Sequence, residues 1–241
     1  MQSSKRKRTP TQEEERREQF ISIISHQLRT PLSILRGYLE ALQNEDMGKL
    51  SEGQKEYLTE AGQINANMID LVNRYMDILS QKTKDIKARP KPVALAGFLK
   101  SIAKQLAHYA KATNSEFALD LPKKEITIQT DEQLLRNALT NIIQNSIKYT
   151  LGSGTITLRL NSEGSHVHIT VSDAGIGIPK DQQDQVFTKF FRGKNIIHRS
   201  IAGSGLGLYI TQQYVAALKG DITFTSKEGK GTDVTIALPI K

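Results

Sequence analysis

The sequence predicts two domains in series. The first is an all-α helical hairpin, two copies of which close a four-helix bundle; the second is an α+β sandwich with one mixed sheet under helices. Three observations predict this. Residues 11–88 hold a single proline, Pro31, and carry apolar residues at helical spacing. Arg89-Pro90-Lys91-Pro92 then breaks the pattern. Beyond it, helix and strand patterns alternate to the end of the 241 residues. The expected division is a basic tail over 1–10, the hairpin over 11–88, a linker over 89–92 and the second domain over 93–241.

The first helix opens on a capping box, Thr11 with Glu14. Phe20, Ile24, Leu28, Leu32, Leu35, Leu39 and Leu42 follow in steps of three and four and mark one helical face. Pro31 removes one helical hydrogen bond and predicts a kink. Residues 44–51 contain Gly48 and read as a turn, and Ser51 with Gln54 forms a second capping box. Tyr57, Ala61, Ile64, Met68, Leu71, Tyr75 and Ile78 then make a heptad seam. Each arm has about 30 residues and is roughly 45 Å long. A lone hairpin cannot cover such stripes, so a homodimer is expected.

After the linker, residues 95–111 read as helix, and 116–121 and 125–129 as strands. Thr130 with Gln133 is the expected cap of a helix ending at Tyr149. Residues 155–160 and 166–172 alternate at period two, as half-buried strands do. A glycine-rich stretch leads to a helix near 206–218. Strands over 221–225 and 233–238 close a hairpin around Gly229-Lys230-Gly231.

Composition narrows the chemistry. There is no cysteine, which excludes disulfide frameworks, zinc-thiolate and iron–sulfur sites and cysteine nucleophiles. The net charge is +8, and Lys5-Arg6-Lys7-Arg8 supplies half of it; this run reads as a solvated tail. Outside it, basic residues do not interleave with aromatics, so no nucleic-acid partner is expected. No apolar run reaches the roughly 18–20 residues of a membrane-spanning helix.

Three clusters in the second domain point to a nucleotide. Asn141 and Asn145 share a helix face and lead to Lys148 and Tyr149. Amide oxygens suit Mg²⁺, and a lysine meets phosphate as a point charge. Asp173-Ala174-Gly175-Ile176-Gly177-Ile178-Pro179 follows a strand; its glycines admit close backbone approach, and its carboxylate can accept from an exocyclic amine such as adenine's. Gly203-Ser204-Gly205-Leu206-Gly207-Leu208 opens a helix and offers backbone N–H groups to an anion. Lys148, Lys189, Arg192 and Lys194 add positive charge. In the first domain, His26 falls nearly opposite Ile24 and Leu28 on the helix, and Thr30 shares its face. An outward histidine beside a kink suits a nucleophile that two partners must reach. His166 and His168 share a strand face, with no third ligand evident, and read as a solvent-facing pair.

Ser25-His26-Gln27-Leu28-Arg29-Thr30-Pro31-Leu32 resembles the H box of bacterial sensor histidine kinases. Residues 141–149 resemble their N box, 173–179 the G1 box, 186–192 the F box, 203–208 the G2 box and 229–232 the last glycine box, all in the family order. The resemblance covers nearly the whole chain. It implies a dimerisation and histidine-phosphotransfer hairpin followed by an ATP-binding sandwich of the gyrase/Hsp90/histidine-kinase type. It implies ATP and Mg²⁺, a response-regulator receiver domain as partner, and a cytoplasmic location, with any membrane attachment through segments absent from this chain. It implies that His26 accepts the phosphoryl group, that Asn145 ligates Mg²⁺, and that Asn141, Lys148 and Arg192 meet phosphate. Tyr149 would flank the adenine, and Asp173, with Thr232 nearby, would read its amine. Gly175, Gly177, Ile178, Lys189, Gly203, Gly205, Leu206 and Gly207 would line the pocket, and residues from about 180 to 202 would form a mobile lid.

Gln27 departs from the family's commonest pattern, which has Glu or Asp after the histidine. An amide can orient the imidazole but cannot take its proton. With Thr30, Gln27 resembles the family's phosphatase motif, so dephosphorylation of the partner is a second expected activity. Two other readings stand beside the kinase. One is a nucleotide-binding dimeric scaffold or phosphatase-biased member with weak kinase activity. The other is a gyrase/Hsp90-class ATPase, against which the H box and the lack of a catalytic carboxylate in the N box both speak.

Overall fold

The computed structural model describes residues 12–46, 48–79, 86–194, 196 and 204–240. They fall in two compact units, residues 1–84 and 85–241. The basic tail, Thr11 of the first capping box and Gly203 lie outside the described residues. No helix among the described residues is long and apolar enough to cross a membrane.

The first unit is a hairpin of α1 (Gln12–Gln43), which continues through Pro31, and α2 (Glu52–Leu79). Its turn is built locally. Glu45 and Gly48 adopt positive φ. The Glu45 carboxylate receives the Lys55 ammonium at 3.2 Å and the Leu50 N–H at 3.4 Å. These bonds, Lys55's first, hold the Glu45 pKa below its usual value. The second capping box forms in both directions. The Ser51 N–H donates to Gln54 Oε1 at 2.8 Å, and the Gln54 N–H donates to Ser51 Oγ at 3.3 Å.

The seam that closes the hairpin shares Ala61 with the one expected on α2, whose Leu71, Tyr75 and Ile78 side chains lie outside the described ones. Among the described side chains of α2, Leu58, Ala61, Gly62, Asn65, Ile69 and Val72 are the buried and half-buried positions. Tyr57, Ile64 and Met68 are 76%, 53% and 46% exposed. On α1, Leu39 is buried and Leu32, Ala41 and Leu42 are half-buried, while Ile34, Leu35 and Tyr38 are exposed. The physical reason is that a bundle helix carries apolar residues on two adjacent faces. Periodicity reveals both without saying which one meets its own partner helix.

In the second unit, β1 (Lys91–Ala94) pairs antiparallel with β3 (Thr127–Thr130). Lys91 and Pro92, expected in a linker, are therefore strand residues. Proline fits because a two-stranded ribbon has an open edge that requires no donor. A second sheet runs in the order β2 (Ser115–Asp120), β4 (Gly154–Glu163), β5 (His166–Asp173), β7 (Gly231–Pro239), β6 (Asp221–Lys227). β2 and β4 are parallel and the other pairs antiparallel, giving the expected mixed sheet. α3 (Leu95–Ala112) and α4 (Glu132–Tyr149) pack on it, with α5 (Gly207–Ala217) beside α4. Ile156, Leu158, Val167, Ile169, Val171 and Ile236 are fully buried, as are Leu99, Ile102, Leu135, Leu139 and Ile143 of the helices.

One local expectation shifts. The cap of α4 is Asp131, not Thr130, which ends β3. Asp131 Oδ1 accepts from the N–H groups of Gln133 and Leu134, and its Oδ2 accepts from the Arg89 N–H at 2.8 Å. A carboxylate one residue closer to the helix wins because it reaches two orphan donors at once. The first half of the expected lid carries local structure and cross-bonds, and residues 195 and 197–202 of it lie outside the described residues. Lys180–Gln185 forms a 3₁₀ turn, and buried Gln182 accepts the Lys194 N–H at 2.9 Å. Gln183 Nε2 donates to the Ile178 and Ser226 carbonyls, each at 3.0 Å.

Candidate functional site

The second unit gathers its site where β5, the end of α4 and the β6–β7 turn meet. Asp173 ends β5, and its Oδ1 accepts from the Gly175 N–H at 2.9 Å and the Thr232 N–H at 3.2 Å. The Ser146 hydroxyl bonds the same carboxylate. Burial pushes the Asp173 pKa up, against these bonds, and nearby Asp233 adds to the rise.

The glycine turn after Asp173 is wedged against both neighbours. The Ile176 N–H donates to the Tyr149 carbonyl at 3.1 Å, and the Gly229 N–H donates to the Ile176 carbonyl at 2.8 Å. A Cβ on Gly175 would lie 2.5 Å from the Tyr149 carbonyl oxygen. Gly177 has φ +63, and a Cβ there would strike the Lys227 carbonyl. The Ile178 N–H is held by Ser226 Oγ at 2.9 Å, and Ser226 Oγ also meets Thr232 Oγ1 at 2.8 Å.

A cationic corner adjoins this turn. Lys148 Nζ lies 3.4 Å from the Tyr149 hydroxyl and 4.9 Å from its ring centroid. Burial, and then the Arg192 guanidinium, push the Lys148 pKa down. Burial raises the Tyr149 pKa while Arg192 opposes the rise. Two cations are thus held together in a half-buried corner, an arrangement that a phosphate would relieve.

Asn141 and Asn145 are half-buried on one face of α4. Asn145 Nδ2 lies 3.7 Å from where a Gly207 Cβ would be, at the first residue of α5. Gly205, at φ +70, lets the F-box backbone of Phe190 and Phe191 approach closely. Lys189 stacks on the Tyr209 ring at 5.0 Å, and Leu206 is buried with its N–H held by Ser204 Oγ at 3.3 Å. The donor set suits a magnesium ion that arrives with phosphates. One amide is offered, and no cluster of three or more acidic, histidine or cysteine ligands exists among the described residues.

His26, Gln27 and Thr30 lie in the other unit, on the turn of α1 that precedes Pro31. Gln27 and Thr30 are exposed. The outward direction expected of His26 falls outside the described side chains. Sequence reasoning missed Ser146, Ser226 and Gln183. Ser146 left a trace, a polar residue among the buried positions Ile142, Ile143 and Ile147 of α4.

Two family models match the chain. His Kinase A (phospho-acceptor) domain matches residues 16–82, and Histidine kinase-, DNA gyrase B-, and HSP90-like ATPase matches residues 130–241. Sensor histidine kinase WalK of Bacillus subtilis (strain 168) is 35% identical over 236 residues, covering 95% of this chain and 37% of that protein. Circadian input-output histidine kinase CikA of Synechococcus elongatus is 31% identical over 92% of this chain and 30% of its own length. The chain therefore spans about a third of the length of these relatives. Among solved structures, full-length ShkA in complex with AMPPNP superposes with a TM-score of 0.70 at 27% identity, covering 92% of this chain and 46% of that one. The mycobacterial sensor histidine kinase MprB superposes at 0.54 with 26% identity, over 63% of this chain and 97% of that one.

Proposed function

The chain belongs to the sensor histidine kinase family of bacterial two-component systems, and on that premise we propose that it phosphorylates His26 from ATP and passes the group to an aspartate of a response-regulator receiver domain. One observation carries the reading: Asp173, Gly175, Gly177 and Thr232 interlock against the end of α4, the helix that also bears Asn141, Asn145 and Lys148. Asp173 accepts the adenine amine. Lys148 and Arg192 hold phosphate, with Asn141 beside them. Asn145 would hold Mg²⁺, which would draw charge off the phosphates when bound.

Neutral His26 attacks the γ-phosphorus through Nε2, ADP leaves, and the Nδ1 proton passes to water, because Gln27 orients the ring but takes no proton. The exposed apolar stripe of Ile34, Tyr38, Tyr57, Ile64 and Met68 supports a homodimer, since a second copy would cover it as a four-helix bundle. Gln27 and Thr30, one turn apart on an exposed face, support a second activity in which they place a water against the phosphorylated partner.

The test is incubation with Mg²⁺ and γ-labelled ATP beside His26→Ala. Label that survives base, is lost in acid and is absent from the variant is the expected result. Steady ATP turnover without labelled protein would replace this reading with the ATPase. Nucleotide binding with neither label nor turnover would replace it with the scaffold.

A further inference from the structure

We propose that Asn65 is a positioning residue of the phosphotransfer hairpin, a buried amide that pins the register of α2 on α1 just past Pro31 and so sets where the turn bearing His26 stands. The proposal deepens the kinase reading and rests on it for its activity measurement.

Asn65 is 1% exposed, within a seam whose other described positions are Leu58, Ala61, Gly62, Ile69 and Val72. Its Nδ2 donates to the Leu32 carbonyl at 3.1 Å. Its Oδ1 is buried and has no hydrogen-bond partner among the described residues. An unmet buried acceptor costs stability that a leucine in the same place would not. A polar residue kept at such a position fits the role of fixing register at the expense of stability. Leucine and isoleucine contacts survive a slide of one helical turn, whereas an amide bonded to one carbonyl does not. Near the hairpin turn, Gln43 Nε2 makes a bond of the same kind to the Leu58 carbonyl at 3.0 Å.

The place of the pin gives it a function. Leu32 follows Pro31, whose missing N–H leaves the Gln27 carbonyl without its helical donor. The helix is therefore weakened between His26 and Leu32, about 9 Å apart along the axis. α1's own ladder holds the His26 turn less firmly there, so an interhelical bond made at Leu32 bears directly on its position.

The experiment uses the full chain and Asn65→Leu, with three measurements. The expected results are an equal or higher melting temperature, an initial His26 labelling rate at least about tenfold lower, and an unchanged KM for ATP, whose site lies in the other unit. Spin labels on Glu40→Cys and Thr59→Cys, exposed positions outside the stripe assigned to the dimer in a chain without cysteine, are diluted in unlabelled chain. Their distance distribution is expected to broaden in the variant. An unchanged rate, an unchanged distribution, or a rate loss that merely follows a lower melting temperature overturns the pin. If Asn65→Leu does not fold, Asn65→Ser, too short to reach Leu32, is read for rate and distance in the same way. A wild-type chain that takes no acid-labile label refutes the kinase reading instead, and leaves the melting and distance results to decide the pin.

Discussion

Replacing Asp173 with asparagine separates the charge of the nucleotide site from its shape. The side chain keeps its size, and Oδ1 still accepts from the Gly175 and Thr232 N–H groups. The Ser146 hydroxyl can rotate from donating to accepting. What is lost is an anionic acceptor, replaced by an NH₂ that confronts the adenine amine donor to donor. A hydrogen bond to a charged group is worth about 1.5–3 kcal/mol, so nucleotide should bind about 10- to 150-fold more weakly.

Stability moves the other way. Burial raises the Asp173 pKa above its ordinary value, chiefly by desolvation. The contribution of this group is then most favourable below the ordinary value of 3.8 and declines as pH rises through the raised pKa. At neutral pH the asparagine variant should therefore melt no lower than wild type, to within about 3 °C. Nucleotide affinity has the opposite dependence in wild type, falling as pH drops through that same pKa, because only the ionised form accepts. The variant should be flat in this range. Calorimetric titration with ADP from neutral pH down toward the ordinary carboxylate range, alongside scanning calorimetry, measures both. A dissociation constant within about threefold of wild type would refute the role of Asp173, and so would an affinity loss explained by a collapse in melting temperature.

Gln27→Glu should raise the initial rate of His26 labelling at saturating ATP by about tenfold or more, part of the roughly 10²- to 10⁴-fold that a well-positioned base supplies; an unchanged rate would show that the missing base does not limit the reaction. Gly177→Ala should destabilise the second unit by about 1–2 kcal/mol from its positive φ alone, with a further cost from the Lys227 carbonyl, and should abolish nucleotide binding; an unshifted melting curve would contradict the packing described here. Ile64→Glu with Met68→Glu should convert a dimer to a monomer in light scattering, because both face outward from the hairpin; a persisting dimer would place the interface elsewhere.

Much of this architecture is local and was readable as such. The Ser51–Gln54 box spans three residues and formed as expected. The period-two patterns of β4 and β5 follow from each strand having one buried face. The H, N, F and glycine boxes were legible as residue strings, with Asp173 followed at once by the glycines that bend around it. The seam of α2 was not, because Tyr57, Ile64 and Met68 obey the same periodicity as Leu58, Asn65 and Val72. Lys91-Pro92 looked like a linker because its strand partner, Gln129 with Thr130, is distant in sequence.

The sequence by itself therefore determined the positions of helices, strands and turns and the residue types of the site, since spacing and backbone freedom act between near neighbours. Tertiary structure decided which apolar face closes the hairpin, that Asn65 is buried in it, and which donors surround Asp173. Thr232 reaches that carboxylate from 59 residues away, and Asn65 reaches Leu32 across 33. Contacts of that separation depend on how whole elements pack, and packing is set by the sum of all buried surfaces rather than by any local pattern.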